Sequence, residues 1–177
     1  MLDRYKYTDS EIEKICKSIV ILCDSREQVN THVTDWFNRN KVPWETKALG
    51  NGDYSFYLPK NEDYGILRDT YFTREIAIER KRNLDEIAVN FTKSRARFEE
   101  EFATYPGKLY LLIENATYVD IINHNYSSKL TTKAFLAAIH TFNHRYRTEV
   151  SFMPDDKYSG AWIYGTFLYY LKNLLKR

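Results

Sequence analysis

Acidic side chains stand at three places where a strand-like segment meets a turn: Asp24, Asp53 and Glu79. Carboxylates from separate strands that converge at one edge of a sheet form an oxygen-rich site for a hard divalent cation such as Mg²⁺ or Mn²⁺. Lys81 follows Glu79 by two residues and therefore shares its face of a strand, where an ammonium group can hold a phosphate oxygen. An aspartate with Glu-x-Lys is the combination that metal-assisted phosphodiester hydrolysis needs.

The spacing of these residues is a limited signal by itself. A D…E-x-K pattern arises by chance in many charged sequences. Taken alone, it favours a strand surface covered by salt bridges, which is a common arrangement of exposed charges. The elements around the three acids must therefore decide whether these side chains can meet.

Hydrophobic periodicity predicts a mixture of strands and helices around the acids. The apolar run 19–23 is typical of a strand buried on both faces, and 74–81 alternates as a strand does. A turn is predicted at Gly50-Asn-Gly52, and 59–73 is predicted to be a surface loop or a ragged hairpin. Further strands are predicted at 44–49, 53–58, 108–113 and 148–153, and helices at 8–17, 29–37, 83–91, 98–102, 132–147 and 161–175. This order predicts an α/β fold with a mixed central β-sheet flanked by helices on both sides.

Composition limits the class of protein. The 177 residues (21.1 kDa) fit a single domain over 1–177, in which 1–17 is a helical extension. A net charge of +2, from 26 basic and 24 acidic residues, is not that of a histone-like polyanion binder, so if the protein binds nucleic acid, its positive charge must be concentrated locally. The two cysteines favour a reducing, cytoplasmic compartment, and no apolar run is long enough to span a membrane.

Read in order, the motifs resemble the nuclease domain of the XPF-type structure-specific endonucleases, which belong to the PD-(D/E)XK superfamily and have a restriction-endonuclease-like core. The resemblance runs from about Ile19 to Glu114. It rests on Asp24-x-Arg26-Glu27, Gly52-Asp53-Tyr54, Glu79-Arg80-Lys81, Asp85, Arg95-Ala-Arg97-Phe98 and Leu111-Leu-Ile-Glu114. It implies a Mg²⁺- or Mn²⁺-dependent endonuclease that cleaves branched, flapped or distorted DNA in repair, recombination or phage DNA metabolism, leaving a 5′-phosphate and a 3′-hydroxyl.

The resemblance also implies a role for each motif residue. Asp53 and Glu79 are the expected principal metal ligands, with Asp24 a further ligand, direct or through water. Lys81 is the expected catalytic lysine. The expected catalytic set is completed by residues that orient the site, namely Arg26, Glu27 and Arg80, and Asp85 is expected to support it.

Basic residues cluster near the motif and are expected to contact DNA phosphates: Arg82, Lys93, Arg95 and Arg97. A solvated helix face is the alternative interpretation of such a run. Tyr54 is a further candidate for DNA contact because it follows Asp53. Glu114 ends an apolar strand from which a side chain can reach the site, but a carboxylate at a strand end is more often solvated, and solvation is the expectation here.

The chain departs from the family in having no room for the helix-hairpin-helix domain that grips duplex DNA in many members. A stand-alone nuclease of the kind found in phages and mobile elements is therefore expected, in the cytoplasm of a bacterium or of an infected host cell, with an accessory DNA-binding partner as one option. The aromatic helix from Trp162 to Leu175 is expected either to form a homodimer surface or to pack in the core. The alternatives to an enzyme are a catalytically silent DNA-binding or scaffold module of the same fold, and a protein-interaction module.

Overall fold

A computed structural model of the protein describes residues 6–176. Its strands are β1 (Val20–Asp24), β2 (Trp44–Lys47), β3 (Tyr54–Leu58), β4 (Thr70–Tyr71), β5 (Ile76–Lys81), β6 (Lys108–Glu114) and β7 (Glu149–Met153). They form one sheet in the order β2-β1-β3-β5-β6-β7, and the short strand β4 pairs with β3. Strand β3 is antiparallel to both of its neighbours, β1 and β5. The other pairs, β1 with β2, β5 with β6 and β6 with β7, are parallel. The sheet is therefore mixed.

Helices cover both faces of this sheet. They are α1 (Asp9–Lys17), α2 (Thr31–Arg39), α3 (Leu84–Thr92), α4 (Arg95–Thr104), α5 (Tyr118–Ile122), α6 (Thr132–Arg145) and α7 (Ser159–Leu175). Helix α1 begins at a capping box in which the Thr8 hydroxyl and the Glu11 carboxylate each accept a backbone N–H. Single 3₁₀ turns lie at Glu62–Tyr64 and Asp156–Tyr158. Among residues 6–176, no helix has the length and apolar character that crossing a membrane requires.

The alternation of β5 separates two hydrophobic cores. Ile76 and Ile78 pack with α1, α2 and α7, whereas Ala77 packs on the other face with α3, α4 and α6. Because side chains of a strand alternate, Glu79 and Lys81 lie on the same face as Ala77, and Arg80 lies on the same face as Ile78. The two faces of the sheet therefore receive different parts of the Glu-Arg-Lys motif.

The predicted fold class, a mixed central sheet flanked by helices on both sides, is confirmed. The turn at Gly50-Asn-Gly52 does not join a hairpin, however, because β1 lies between the two flanking strands: Ile21 pairs with Trp44 on one side and with Phe56 on the other. Helix α5 was not predicted, although Thr117-x-x-Asp120 forms the capping box at its start.

Candidate active site

The strand directions bring the acidic segments to one edge of the sheet. Strands β1, β5 and β6 run the same way and end at Asp24, Lys81 and Glu114, while the antiparallel β3 begins at this edge, directly after Asp53. The sequence places the acids at strand ends, and the topology places those ends together.

Backbone hydrogen bonds to both neighbouring strands fix Asp53. Its N–H donates to the carbonyl of Ile78 (2.8 Å), and its own carbonyl accepts the N–H of Asp24 (2.8 Å). The carboxylate Oδ2 accepts the backbone N–H of Arg80 at 2.7 Å. The position of Asp53 is thus determined before any ligand binds.

Gly52 is required by the turn that delivers Asp53. Its φ of +71° lies in the left-handed region, and an added Cβ would lie 3.0 Å from Cβ of Ala77 and 3.1 Å from the carbonyl oxygen of Ile78. Both neighbours belong to the central strand β5, which cannot easily move. A side chain at position 52 therefore meets both a conformational and a steric cost.

We predict that Gly52→Ala lowers the stability of the protein by about 1–3 kcal/mol and impairs any activity that needs Asp53. Gly50 is the matched control, because a Cβ added there meets nothing within 4 Å and its φ is not in the left-handed region. Thermal unfolding of both variants measures the difference. Equal melting temperatures for Gly52→Ala and Gly50→Ala would contradict the steric argument.

Glu79 and Lys81 form a nearly buried pair beside Asp53. Lys81 Nζ donates to Glu79 Oε1 at 2.6 Å and lies 5.2 Å from the centre of the Phe98 ring. Burial raises the pKa of Glu79, and burial together with the charge of Glu79 raises the pKa of Asp53 well above its usual value. Burial alone would lower the pKa of Lys81, but its contact with Glu79 outweighs this and raises it. Lys81 is consequently an ammonium cation at neutral pH.

These three side chains line a cleft of about 280 Å³ beneath α4. Arg26 and Arg97 also line it, and the other lining residues are Gly52, Asn90, Ser94, Phe98 and Glu101. Sequence reasoning missed Glu101, whose carboxylate accepts the N–H of Gly52 at 3.2 Å and whose charge contributes to the raised pKa of Glu79. Its spacing from Arg97, four residues along one helix, was the available signal.

Asp24 was expected to bind the metal directly or through water, and the structure shows its carboxylate hydrogen-bonded to donors of the protein. Its carboxylate is 1% exposed and accepts the backbone N–H of Arg26 (2.7 Å), the guanidinium of Arg26 (2.9 and 3.0 Å) and the N–H of Leu49 (2.8 Å). Burial would raise the pKa of Asp24, but these hydrogen bonds outweigh it and lower the pKa. Both oxygens are already occupied, so Asp24 holds Arg26 at the rim of the cleft and is not placed as a direct metal ligand.

Arg80 lies on the opposite face of the sheet, at the same edge, and joins three segments there. Its guanidinium is 1% exposed and donates to Glu114 Oε2 (2.6 Å), Glu27 Oε1 (2.7 Å) and the carbonyl of Val29 (2.6 Å). Glu114 is also buried and lies 2.9 Å from Nε2 of His32. The expectation that Glu114 is solvated is therefore wrong, because its partners come from β5 and α2 rather than from its own segment.

The residues expected to contact DNA fall into three groups. Arg82 and Arg95 are exposed and pair with Glu86 and Glu99 one helical turn away. Lys93 and Arg97 are exposed and form no ion pair within residues 6–176. Tyr54 has no exposed surface and packs in the core with α2 and α7, so the structure contradicts a DNA contact by its ring.

Asp85 contacts a loop rather than the cleft. Its Oδ1 accepts the N–H groups of Ser127 and Ser128, both at 2.8 Å. It is not among the residues that line the cleft of Asp53 and Glu79. Asp85 therefore supports the loop before α6, and a direct effect on the acidic site is not seen.

The donor set of the cleft suits a divalent cation. Asp53 Oδ1 and Glu79 Oε2 accept no hydrogen bond from any residue that the structure describes, and the two carboxylates repel each other. The raised pKa of Asp53 reflects this mutual repulsion as well as burial, and a bound cation would relieve it.

A second group of possible metal ligands lies on the Arg80 face. The atoms of His32, Glu114 and Asp156 lie within 4.8 Å of one another, and no other group of three in the described part of the chain is as close. The guanidinium Nη1 of Arg80 already occupies this place, 2.6 Å from Glu114 and 3.5 Å from His32. A fixed cation thus balances Glu114, which disfavours metal binding there.

Comparison with known proteins agrees with this architecture. In the solved structures, XPF from Aeropyrum pernix in complex with DNA matches with a TM-score of 0.60 and 17% identity, covering 88% of this chain and 64% of that one. A second structure of XPF from Aeropyrum pernix matches with a TM-score of 0.59 and 17% identity, covering 89% and 65%. The fold is thus that of the XPF nuclease domain, and this chain spans about 64% of the length of those chains.

A comparison of the sequence with protein-family models identifies the family. Residues 23–166 match the ERCC4 domain, and this chain therefore belongs to the ERCC4 domain family. The predicted resemblance to XPF-type nuclease domains is confirmed. No protein in a search of curated sequences matches the chain significantly.

Proposed function

We propose that this protein is a metal-dependent endodeoxyribonuclease that hydrolyses phosphodiester bonds in branched or otherwise structured DNA. The observation that carries the proposal is the cleft in which Asp53, Glu79 and Lys81 meet in a chain of the ERCC4 domain family. The solved XPF that matches this fold was determined with DNA, which supports DNA as the substrate class. Cleavage leaving a 5′-phosphate and a 3′-hydroxyl is part of the proposal.

Asp53 and Glu79 would hold Mg²⁺ or Mn²⁺ through their oxygens that accept no protein hydrogen bond. When bound, such a cation supplies Lewis acidity, which lowers the pKa of water and stabilises negative charge at the reacting phosphate. Asp53 needs no reorganisation to do this, because β5 and β1 already fix its backbone.

Lys81 supplies a positive charge inside the cleft. Its contact with Glu79 raises the pKa of its ammonium group, and this charge is placed to stabilise a phosphate oxygen. Arg26, which is 66% exposed and held by Asp24, contributes a second positive charge at the rim. Arg97 of α4, which also lines the cleft, supplies a third positive charge. We propose that these two arginines position the DNA backbone over the acids.

The organisation of the protein is proposed as a single nuclease unit acting as a homodimer or with an accessory DNA-binding protein. The reduced, buried thiols of Cys16 and Cys23 support a reducing compartment, such as the cytoplasm of a bacterium or of a phage-infected cell. Burial raises the pKa of Cys23 to about 12, which keeps this thiol protonated and unreactive.

A cleavage assay tests the proposal. Labelled linear, flap, fork and four-way-junction DNA are incubated with the protein in Mg²⁺, in Mn²⁺ and in chelator. We expect cleavage only with metal, and faster cleavage of the branched substrates than of the linear duplex.

Lys81→Met is the decisive variant, because it keeps the length of the side chain and removes the charge. We expect it to lower the cleavage rate by about 10²–10³-fold. Lys17→Met is the matched control, since Lys17 is an exposed residue of α1 on the other face of the sheet. DNA binding without cleavage in either metal would instead identify a scaffold module, and cleavage in chelator would exclude metal dependence.

A further inference from the structure

A groove of about 920 Å³ lies between α3 and the loop that precedes α6. Asp85, Val89 and Lys93 form one wall, and the loop 123–131 with the first turn of α6 forms the other. Lys93 follows α3 directly, and the next residue, Ser94, lines the cleft of Asp53 and Glu79. We name this surface the α3 groove.

The loop wall of the α3 groove is held in place before any ligand binds. Asp85 accepts two successive backbone N–H groups of this loop, those of Ser127 and Ser128, at 2.8 Å. The Tyr126 hydroxyl donates to the carbonyl of Leu130 at 2.8 Å, and its ring packs on Phe135 at 5.1 Å. A preformed wall lowers the entropic cost of binding.

The charges and surfaces of the α3 groove fit a nucleic-acid backbone. Lys93 and Lys129 are exposed on opposite walls, and within residues 6–176 neither forms an ion pair. Val89, Leu130 and Ala134 line the space between them. A DNA strand offers this combination of chemistry, with a charged phosphate at each step separated by apolar deoxyribose.

The position of the α3 groove suits the same DNA molecule as the cleft. Neighbouring residues of α3 and of the turn after it line both sites: Asn90 and Ser94 line the cleft, and Val89 and Lys93 line the α3 groove. A DNA strand whose phosphate lies in the cleft can therefore continue past the end of α3 to Lys93 and Lys129.

We propose that the α3 groove binds the DNA backbone on one side of the scissile phosphate, and that Asp85 is a positioning residue for its loop wall. The proposal rests on the proposed function, because it takes DNA as the ligand. It assigns Asp85 to DNA binding and separates it from the metal ligands Asp53 and Glu79.

The salt dependence of DNA affinity tests the α3 groove. A fluorescent fork is titrated with the full chain in chelator, so that cleavage plays no part, and the slope of log affinity against log salt is measured. Each phosphate contact contributes about 0.9 to this slope on duplex DNA, so the variant K93S/K129S is expected to reduce it by about 1.8. The control K14S/K17S removes two exposed lysines of α1, on the other face of the sheet, and is expected to leave the slope unchanged.

Asp85→Ala tests the positioning role. It is expected to weaken binding of the fork several-fold while the dissociation constant for Mn²⁺ stays at the wild-type value. Weaker Mn²⁺ binding with unchanged DNA affinity would overturn the assignment, and melting temperatures show whether the variant keeps its fold.

The outcomes separate this proposal from the proposed function. If the protein cleaves DNA with metal but K93S/K129S leaves the salt slope unchanged, DNA binding by the α3 groove is overturned and the nuclease proposal stands. A reduced slope in a protein that never cleaves supports the groove and overturns the nuclease. A third outcome combines two results: wild type and K93S/K129S bind the fork equally, and only the wild type binds a poly-glutamate peptide. This outcome overturns DNA as the occupant of the α3 groove and favours an acidic protein.

Discussion

Replacing Asp53 with Asn is expected to abolish metal-dependent DNA cleavage, by about 10³-fold or more, and to stabilise the protein when metal is absent. The variant keeps an oxygen for the N–H of Arg80 but removes a buried charge that repels Glu79. We expect a gain of about 1–2 kcal/mol, or a rise in melting temperature of about 2–8 °C for a chain of this size. Thermal unfolding in chelator, beside the cleavage assay, measures both effects.

The stability gain of Asp53→Asn should depend on pH in a defined direction. The pKa of Asp53 is raised from 3.8 in the folded protein, so between its unfolded and folded values the folded state binds more protons than the unfolded state. The stability of the wild type therefore falls as pH rises through the folded pKa. We expect the two proteins to differ least near the ordinary aspartate pKa of 3.8 and increasingly as pH rises above it toward the folded pKa of Asp53.

Mg²⁺ should reverse the order of stability. A ligand that binds only the folded state raises its stability, and we expect this for the wild type and much less for Asp53→Asn. Asp63→Asn is the matched control, because Asp63 is exposed in the 3₁₀ turn Glu62–Tyr64. A lower melting temperature for Asp53→Asn in chelator, or a difference that does not vary with pH, would contradict the repulsion between Asp53 and Glu79.

The parts of the site that sequence predicts are those set by local spacing. Glu79 and Lys81 share a face because a strand alternates, and Asp53 follows a glycine that the turn requires. These relations hold within a few residues, so the pattern alone reveals them. Most of the elements were predicted for the same reason, with bounds that differ from the structure by a few residues, whereas α5 was not predicted.

The parts that sequence did not predict depend on contacts between distant segments. Glu101 reaches the cleft from α4 because of how that helix crosses the sheet, and Glu114 is buried because Arg80 lies 34 residues earlier on the neighbouring strand. The Gly50-Asn-Gly52 segment has the residues of a hairpin turn, but its flanking strands β2 and β3 do not pair, because β1 lies between them in the sheet. That pairing depends on distant segments and cannot be read from the turn itself. Tyr54 follows a site residue and points to the opposite face, since successive side chains of a strand alternate.

The largest effect on stability is expected from Arg80→Leu. Removing the guanidinium leaves the buried carboxylate of Glu114 and the partly buried one of Glu27 without their cation, and the carbonyl of Val29 without its donor. Breaking a buried ion pair from one side costs about 3–5 kcal/mol. For a chain of this size, the melting temperature should fall by about 6–20 °C.

Arg82 provides the matched control for Arg80. It lies two residues further on and pairs with Glu86 at 3.0 Å, but its side chain is 55% exposed. Exposed pairs contribute at most about 1 kcal/mol, so Arg82→Leu should be nearly neutral. A loss as large in Arg82→Leu as in Arg80→Leu would show that burial of the pair is not the cause. Because the N–H that holds Asp53 belongs to the backbone of Arg80, any folded Arg80→Leu protein should keep metal binding and lose mainly stability.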